Sequence, residues 1–96
     1  MSDVFAALAH PVRRKILNLL RKGAMSAGDL ATHFDLAKPT LSGHFAVLKS
    51  ADLVTAERKG TTILYRLNMS VLEEAMAALM SIAGTRAEEP STREQP

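Results

Sequence analysis

The sequence predicts a mainly α-helical domain with one β-hairpin, in the order α-α-α-α-β-β-α. Along most of the chain, apolar residues recur at the spacing of an amphipathic helix. Between Leu53 and Leu67 the spacing changes to an alternation, which is typical of strands. A last helical stretch then carries apolar residues on two adjacent seams. A chain of 96 residues, 47% of them apolar, suffices for one core, so we expect a single folded domain over residues 1–84.

The first two predicted helices meet at His10 and Pro11. An apolar stripe lies on the short first helix: Val4, Phe5 and Leu8. Proline is tolerated best in a first helical turn, so Pro11 predicts the start of the second helix. His10 then lies in the N-cap region of that helix, and Gly23 is expected to end it.

The third and fourth predicted helices form a helix-turn-helix pair. Ser26, followed by Asp29, is an acidic variant of the capping box and predicts the start of the third helix. Residues 35–37 form only a turn, because a new apolar stripe resumes directly after them. That stripe consists of Leu41, Phe45 and Leu48. We therefore expect the fourth helix to run from about Lys38 to Ser50.

The hairpin is predicted over residues 53–67, with its turn centred on Lys59 and Gly60. The two faces of its second strand carry Ile63, Tyr65 and Leu67 on one side and Thr62 and Arg66 on the other. Leu64 interrupts this alternation. The tip, residues 58–61, places two adjacent cations on a projecting loop, which suits a DNA backbone or minor groove. A basic tip can also serve solubility alone.

The last predicted helix carries more apolar surface than its own domain requires. Ser70 and Glu73 form a capping box at its start, and Gly84 marks its end. Its apolar residues form two seams, Leu72, Met76, Leu79 and Ala83 on one and Val71, Ala75, Ala78 and Ile82 on the other. One seam suffices for docking, so the second predicts a homodimer. Residues 85–96 have almost no apolar side chains, and we expect a disordered tail there.

The composition excludes several kinds of protein. No cysteine is present, which excludes disulfides, thiolate metal sites and thiol redox sensing. The N-terminus lacks the basic and apolar regions of a secretory signal. The longest apolar stretch, residues 75–83, is far shorter than the roughly 20 residues that span a bilayer. We therefore expect a cytoplasmic protein without a membrane span.

Charge is distributed unevenly along the chain. Residues 1–68 carry ten Lys or Arg against five Asp or Glu, whereas residues 69–96 carry two against five. An excess of positive charge in residues 1–68 suits a surface that binds a polyanion, and the negative charge of residues 69–96 suits a part of the chain that lies apart from that surface. An ordinary solvated surface is equally compatible with this distribution.

The outward face of the fourth helix suits the major groove of DNA. A helix can enter that groove when one side is buried and the other is small or polar. Opposite the buried stripe lie Pro39, Thr40, Gly43, Ala46, Val47 and Ser50, with Ser42 beside them. Lys38 and Lys49 lie at the margins, where phosphate is the expected partner. A surface helix with few charges would look the same, but the basic hairpin and the doubly apolar helix that follow favour DNA binding.

Three parts of the sequence resemble ArsR-type transcriptional repressors. Residues 4–17, VFAALAHPVRRKIL, resemble the opening of these proteins. Residues 36–48, LAKPTLSGHFAVL, resemble their recognition helix. Residues 51–54, together with 58–60 and 65–67, resemble their wing. The resemblance covers residues 3 to about 83 and points to the cysteine-free, metal-independent branch of the family.

The resemblance implies a dimeric winged helix-turn-helix with the first and last helices at the interface. It implies a repressor that binds a pseudo-palindromic operator in double-stranded DNA without a cofactor or metal. The residues expected to read bases are Lys38, Thr40, Ser42, Gly43 and His44. Those expected to contact the backbone are Lys49, Arg58, Lys59, Gly60 and Thr61. The expected dimer interface comprises Val4, Phe5, Leu8, Leu72, Met76, Leu79, Met80 and Ala83.

Two positions depart from the family's pattern. Ala37 stands where serine is usual, so the fourth helix is expected to lack a side-chain N-cap. Gly43 stands where a polar residue or histidine is common. It removes one expected base contact and costs the helix about 1 kcal/mol relative to alanine.

The histidines do not form a metal sensor of the kind that many relatives use. Such sensors use cysteine near the third helix or His and Asp on the last helix, and neither is present. Asp29 and His33 lie one turn apart, but two ligands do not complete a tetrahedral Zn²⁺ site. His44 is either a DNA contact or a packed residue, and the sequence favours neither.

Two other classes of function compete with DNA binding. A protein-interaction module of the same fold would bind a partner, such as an antirepressor protein, through the exposed seam of the last helix. An enzyme has no support, because the sequence offers no paired carboxylates in a pocket-like context, no nucleophile with a base and no phosphate loop. A gel-shift with genomic DNA fragments separates the first of these from a DNA-binding repressor.

Overall fold

The structure, a computed structural model, describes residues 3–84. Its helices are α1 (Val4–Leu8), α2 (Pro11–Leu20), α3 (Ala27–Ala31), α4 (Lys38–Ser50) and α5 (Met69–Ala83). Its strands are β1 (Met25–Ser26), β2 (Val54–Lys59) and β3 (Thr62–Leu67). The predicted order of elements is confirmed, with β1 added before α3. The predicted C-terminal tail lies outside the described residues.

The N-termini of α2 and α3 carry the caps that the sequence predicts. His10 Nδ1 accepts a hydrogen bond from the N–H of Val12 at 3.1 Å, and Pro11 opens the helix. Ser26 Oγ accepts one from the N–H of Asp29 at 3.0 Å. Each bond satisfies a backbone donor that has no partner within the helix. The predicted starts of both helices are therefore confirmed.

The second and third helices end earlier than the sequence predicts. α2 ends at Leu20, and the N–H of Gly23 donates back to the Leu20 carbonyl at 3.1 Å. α3 ends at Ala31, whose carbonyl accepts a hydrogen bond from the N–H of Phe34 at 3.2 Å. Such i to i+3 bonds tighten a last turn and take the chain out of the α-helix. The turn of the helix-turn-helix pair therefore spans residues 32–37 and is longer than predicted.

The last helix begins before the predicted capping box. Its N-cap is Asn68, whose side chain makes no capping hydrogen bond, and Ser70 lies within its first turn. The N–H of Asn68 donates to the carbonyl of Leu53 at 2.9 Å. Because this bond joins the residue after β3 to the residue before β2, the helix starts as soon as the hairpin closes. The predicted box of Ser70 and Glu73 is wrong, whereas the end at Gly84 is confirmed.

The three strands form one antiparallel sheet in the order β1-β3-β2. Lys59 pairs with Thr62, so the hairpin turn consists of Gly60 and Thr61, one position later than predicted. Gly60 has φ 64°, a left-handed conformation that glycine adopts without steric cost. β1, which the sequence pattern does not predict, pairs with the middle of β3. The edge of β3 that faces away from β2 is therefore hydrogen-bonded to β1, the segment that leads into α3.

The core is filled mainly by α2, α3, α4 and the segment after α4. Its largest fully buried side chains are Ile16, Leu30, Leu48 and Leu53. Within α5 only Ala75 is buried, while Val71 and Leu72 pack against the core from its side. The end of α5 thus extends past the core. Although α5 is apolar, neither it nor any other helix within residues 3–84 has the length and apolarity needed to cross a bilayer.

Candidate nucleic-acid interface

The fourth helix buries one side and exposes a face of small side chains. Leu41, Phe45 and Leu48 are buried, as predicted. The exposed residues of the opposite face are Pro39, Thr40, Ser42, Gly43, Ala46, Val47 and Ser50. A Cβ atom added at Gly43 would meet nothing within 4 Å, so the middle of this face is open to close approach. Lys38 and Lys49 are exposed at its margins. This arrangement has the shape that a major groove admits.

An aromatic pair holds α4 against the hairpin. The ring centroids of Phe45 and Tyr65 lie 4.7 Å apart, within the range of favourable ring contacts. Burial raises the pKa of Tyr65 above its usual 10.0, so its phenol stays protonated and neutral at physiological pH. Tyr65 lies on β3, the central strand. The alternation along β3 predicts that Tyr65 lies on the apolar face of its strand, but it does not identify Phe45 as the partner, because alternation reveals a face and not a contact.

The two cations of the hairpin tip differ in their surroundings. Lys59 Nζ lies 4.0 Å from Glu57 Oε2, and Arg66 Nη2 lies 3.9 Å from Glu57 Oε1. Glu57 and Lys59 share a face of β2, since side chains alternate along a strand. Arg58 lies on the opposite face and has no ion-pair partner within residues 3–84. The charge of Arg58 is therefore the less compensated of the two.

His44 is turned toward α2 instead of the exposed face of α4. Its Nδ1 lies 3.1 Å from Arg13 Nη1, and its ring centroid lies 4.5 Å from that of His10. Burial, with the charges of His10 and Arg13, lowers the pKa of His44 below its usual 6.5. These contacts favour the packed residue over the DNA contact, the two alternatives that the sequence left open. We therefore propose that His44 packs within the domain and does not belong to the base-reading set.

A patch of apolar side chains is exposed on α1 and α5. Three of the expected interface residues, Val4, Leu8 and Leu72, instead pack against the domain's own core. Each of the others is exposed, and we refer to them together as the apolar patch: Phe5, Met76, Leu79, Met80 and Ala83. Met76 is 55% exposed and Leu79 is 49% exposed. Both predicted seams therefore pack near the start of α5 and are exposed toward its end.

Asp29 and His33, which the sequence places one turn apart, are not joined by a third possible metal ligand within residues 3–84. Within residues 3–84, His, Asp and Glu side chains nowhere gather in a group of three that could hold a metal ion. The backbone carbonyl of His33 accepts a hydrogen bond from Lys15 Nζ at 2.8 Å. This end of α3 is thus tied to α2 through its backbone.

Replacing Ala37 with threonine is expected to stabilise the protein. Ala37 has φ −63° and ψ 147°, the extended geometry of an N-cap, yet α4 has no side-chain capping bond. A hydroxyl there would accept a hydrogen bond from the first turn and raise the free energy of unfolding by about 0.5–2 kcal/mol. Urea denaturation measures the change. The control is Ala37→Val, because valine has the shape of threonine but no hydroxyl. An equal gain in the free energy of unfolding in both variants would contradict capping as the cause.

The sequence matches a known family and curated repressors. The family described as "Bacterial regulatory protein, arsR family" matches residues 10–56. The chain is 47% identical over 76 residues to the transcriptional repressor SdpR of Bacillus subtilis, covering 79% of this chain and 84% of SdpR. It is 38% identical over 73 residues to the arsenical resistance operon repressor of Staphylococcus xylosus, covering 76% of this chain and 70% of that repressor.

Solved structures share the fold. The structure of a possible transcriptional regulator for arsenical resistance matches with a TM-score of 0.79 at 33% identity, covering 85% of both chains. NolR from Sinorhizobium fredii matches with a TM-score of 0.67 at 33% identity, covering 85% of this chain and 82% of NolR. These likenesses confirm the predicted winged helix-turn-helix, in which the β2–β3 hairpin is the wing.

Proposed function

Since the chain belongs to the arsR family of bacterial regulatory proteins, we propose that it represses transcription as a homodimer bound to a pseudo-palindromic operator. The family and the curated relatives are transcriptional regulators and not enzymes. The observation that carries the proposal is the exposed, small-sided face of α4 opposite its buried stripe. Such a face allows the helix to lie deep in a major groove.

Within this proposal, α4 supplies the contacts that choose the sequence. The hydroxyls of Thr40 and Ser42 both donate and accept hydrogen bonds, so they can read base edges. Gly43 lets the helix approach closely, since no atom crowds its Cβ position. Lys38 and Lys49 lie at the margins of this face of α4. From there Lys38 can contact bases or phosphate, and Lys49 can contact phosphate. Few charges lie on this face, so other elements must supply much of the affinity.

The wing is the main source of that additional affinity. Arg58 and Lys59 are exposed next to a turn of Gly60 and Thr61, whose small side chains leave room for the DNA backbone. Each phosphate neutralised by a cation releases a counterion, and this release drives binding without regard to sequence. The contact between Phe45 and the sheet keeps the wing at a set distance from α4.

The homodimer is supported by the apolar patch. Monomeric proteins rarely leave large, contiguous apolar surfaces exposed to water. A second copy covering Phe5 and the exposed end of α5 would bury this surface. A two-fold dimer places its recognition helices in successive major grooves, about 34–36 Å apart, which requires a pseudo-palindromic site. Each protomer then reads one half-site.

We propose further that release from DNA needs no metal. The whole chain lacks cysteine, which supplies the thiolate ligands of soft-metal sensors. The last helix carries no histidine, and its carboxylates are Glu73 and Glu74. Adding Zn²⁺ or arsenite to the bound complex should leave the DNA affinity unchanged.

The proposed function is tested by selecting bound duplexes from a pool of random sequence. We expect an inverted repeat whose half-site centres are about 10 base pairs apart, bound in the nanomolar range by two copies of the chain. Mass measurement of the free and bound protein establishes the stoichiometry. Recovery of no enriched sequence would overturn the proposal, and recovery of a single half-site bound by one copy would overturn the dimer.

Replacing Arg58 with alanine is expected to weaken binding to all duplexes alike and to reduce its salt dependence. Loss of one phosphate contact lowers the slope of log affinity against log salt by about 0.9. The control is Arg66→Ala, which removes an exposed cation that is paired with Glu57 at the base of the wing. Titrations at several salt concentrations compare the slopes. An unchanged slope for Arg58→Ala, or an equal fall for Arg66→Ala, would contradict the assigned wing contact.

A second candidate role is the binding of an antirepressor protein to α5. Ile82, on the other seam of α5, is 82% exposed and offers a docking position for such a partner. A protein that docks there would compete with DNA only indirectly. If the selection returns no DNA sequence, this role becomes the leading explanation of the exposed seam.

A further inference from the structure

The side chain of Arg13 joins three helices at one point. Its Nε donates to the carbonyl of Ala7 at 2.7 Å, and its Nη2 donates to the carbonyl of Ala6 at 3.2 Å. Its Nη1 lies 3.1 Å from Nδ1 of His44. Ala6 and Ala7 belong to α1, Arg13 to α2 and His44 to α4. One guanidinium group thus binds the helix that carries Phe5 and the helix that faces DNA.

The chemistry of this contact fixes the state of His44. A guanidinium group only donates hydrogen bonds, so His44 Nδ1 must accept and the proton of the neutral ring must sit on Nε2. The neighbouring His10 also uses Nδ1 as an acceptor, from the N–H of Val12. Two imidazole rings and one guanidinium cation are therefore packed together. A proton added at His44 Nδ1 would turn that atom into a donor facing another donor.

We infer that Arg13 and His44 form a positioning pair that sets the orientation of α4 relative to α1, and thereby the spacing of the two DNA-reading helices in the dimer. This inference rests on the proposed function, because α1 contributes Phe5 to the apolar patch and α4 provides the reading face. Neither residue touches DNA. The pair affects sequence-specific binding, which needs both reading helices in register, more than non-specific binding, which needs only charge.

The geometry of arginine is essential to the pair. Its planar fork reaches two carbonyls of α1 and one ring nitrogen of α4 at the same time, which a single lysine ammonium on a flexible stem does not reproduce. Arg14, its neighbour, offers a matched comparison. Within residues 3–84 its side chain makes one hydrogen bond, from Nη1 to the carbonyl of Leu8 at 2.8 Å, and none to a residue of α4.

The pair also gives sequence-specific binding a definite pH dependence. The charged or titratable groups that face His44 are His10, from the segment before α2, and Arg13, from α2. Burial is the largest cause of the lowered pKa of His44, and both of these groups add to it. Because the pKa of His44 is lowered, its ring in the folded protein is mostly neutral above pH 6.5, and binding there does not change with pH through His44. As the pH falls below 6.5 through the lowered pKa, the ring gains a proton and the positioning contact is lost.

The first test compares Arg13→Lys with Arg14→Lys, since both keep the charge. Affinity is measured for the duplex recovered by selection and for a scrambled duplex of equal composition. Arg13→Lys is expected to bind the selected duplex about tenfold more weakly and the scrambled duplex as the parent does. Arg14→Lys is expected to match the parent on both. Thermal unfolding of each variant shows whether the fold is retained.

The second test uses His44→Asn and His44→Phe at a series of pH values. Asparagine Oδ1 accepts at about the position of Nδ1 and does not titrate, so His44→Asn should keep affinity and specificity and lose the acid sensitivity. Phenylalanine keeps a ring but no acceptor, so His44→Phe should resemble Arg13→Lys at every pH. In the double variant with Arg13→Lys, the losses should not add, because both remove the same contact.

The outcomes separate this inference from the proposed function. Absence of any selected sequence removes the proposed function and the inference with it. A selected sequence that Arg13→Lys and the parent bind equally well overturns the inference alone. Equal weakening on selected and scrambled duplexes also overturns it, because that result assigns Arg13 to a phosphate contact. An acid sensitivity that persists in His44→Asn places the titrating group elsewhere.

Discussion

Replacing Leu79 with glutamate is expected to convert the protein to a monomer and to reduce operator affinity by about 10²–10⁴-fold. Leu79 lies in the apolar patch and is 49% exposed in the protomer. A charge placed there would lose its hydration on dimer formation without gaining a partner, which is costly. Once the protomers separate, the second half-site no longer binds at the high effective concentration that the first provides.

The matched control for this change is Ser81→Glu. Ser81 is an exposed residue of the same helix, and its position on the helical wheel lies about opposite the line of Met76 and Leu79. The same charge there should leave the dimer and the affinity intact. Sedimentation gives the mass of each variant, and titration with the selected duplex gives its affinity. A dimeric Leu79→Glu variant would show that the apolar patch is not the interface.

Replacing Leu48 with alanine is expected to lower the free energy of unfolding by about 2–5 kcal/mol. Leu48 is fully buried, and it is one of the side chains through which α4 contacts the core. The truncated side chain would lose its transfer free energy and leave a cavity that rigid neighbours fill only in part. In a small domain this loss is a large fraction of the total stability.

The neighbouring Val47→Ala variant provides the comparison, because Val47 lies on the exposed side of the same helix. We expect it to change stability by about 0.5 kcal/mol or less. Urea denaturation at one fixed protein concentration is required, since the proposed dimer would make apparent stability depend on concentration. A loss of equal size in both variants would mean that α4 is not anchored through its buried stripe.

The features that could be predicted from sequence are those that depend on local periodicity and capping. The bounds of α4 and the burial of Leu41, Phe45 and Leu48 agree with the structure because a regular stripe defines one side of a helix. The caps at His10 and Ser26 were predictable because each side chain bonds within its own turn. Local signals of this kind need no knowledge of the rest of the fold.

The features that could not be predicted depend on contacts between distant segments. β1 is two residues long, too short to show alternation, and forms only because β3 lies beside it. α5 starts at Met69 because the bond from Asn68 to Leu53 closes the hairpin, which overrides the capping signal at Ser70. The contact of His44 with Arg13 joins α4 to α2, and its only sequence signal is that each residue lies off the apolar stripe of its helix.

The dual use of Ser26 has a consequence for anyone who builds chimeric regulators. Its side chain caps α3, while its backbone in β1 pairs with Leu64 of β3. If only the β2–β3 hairpin were taken from a relative, its β3 would lack the matching β1 strand with which it pairs. The Ser26 segment at the start of α3 would in turn lose its own pairing with β3. The interchangeable unit is therefore the continuous segment from Met25 to Leu67. Junctions belong on either side of that segment, in the loop after α2 and at Asn68.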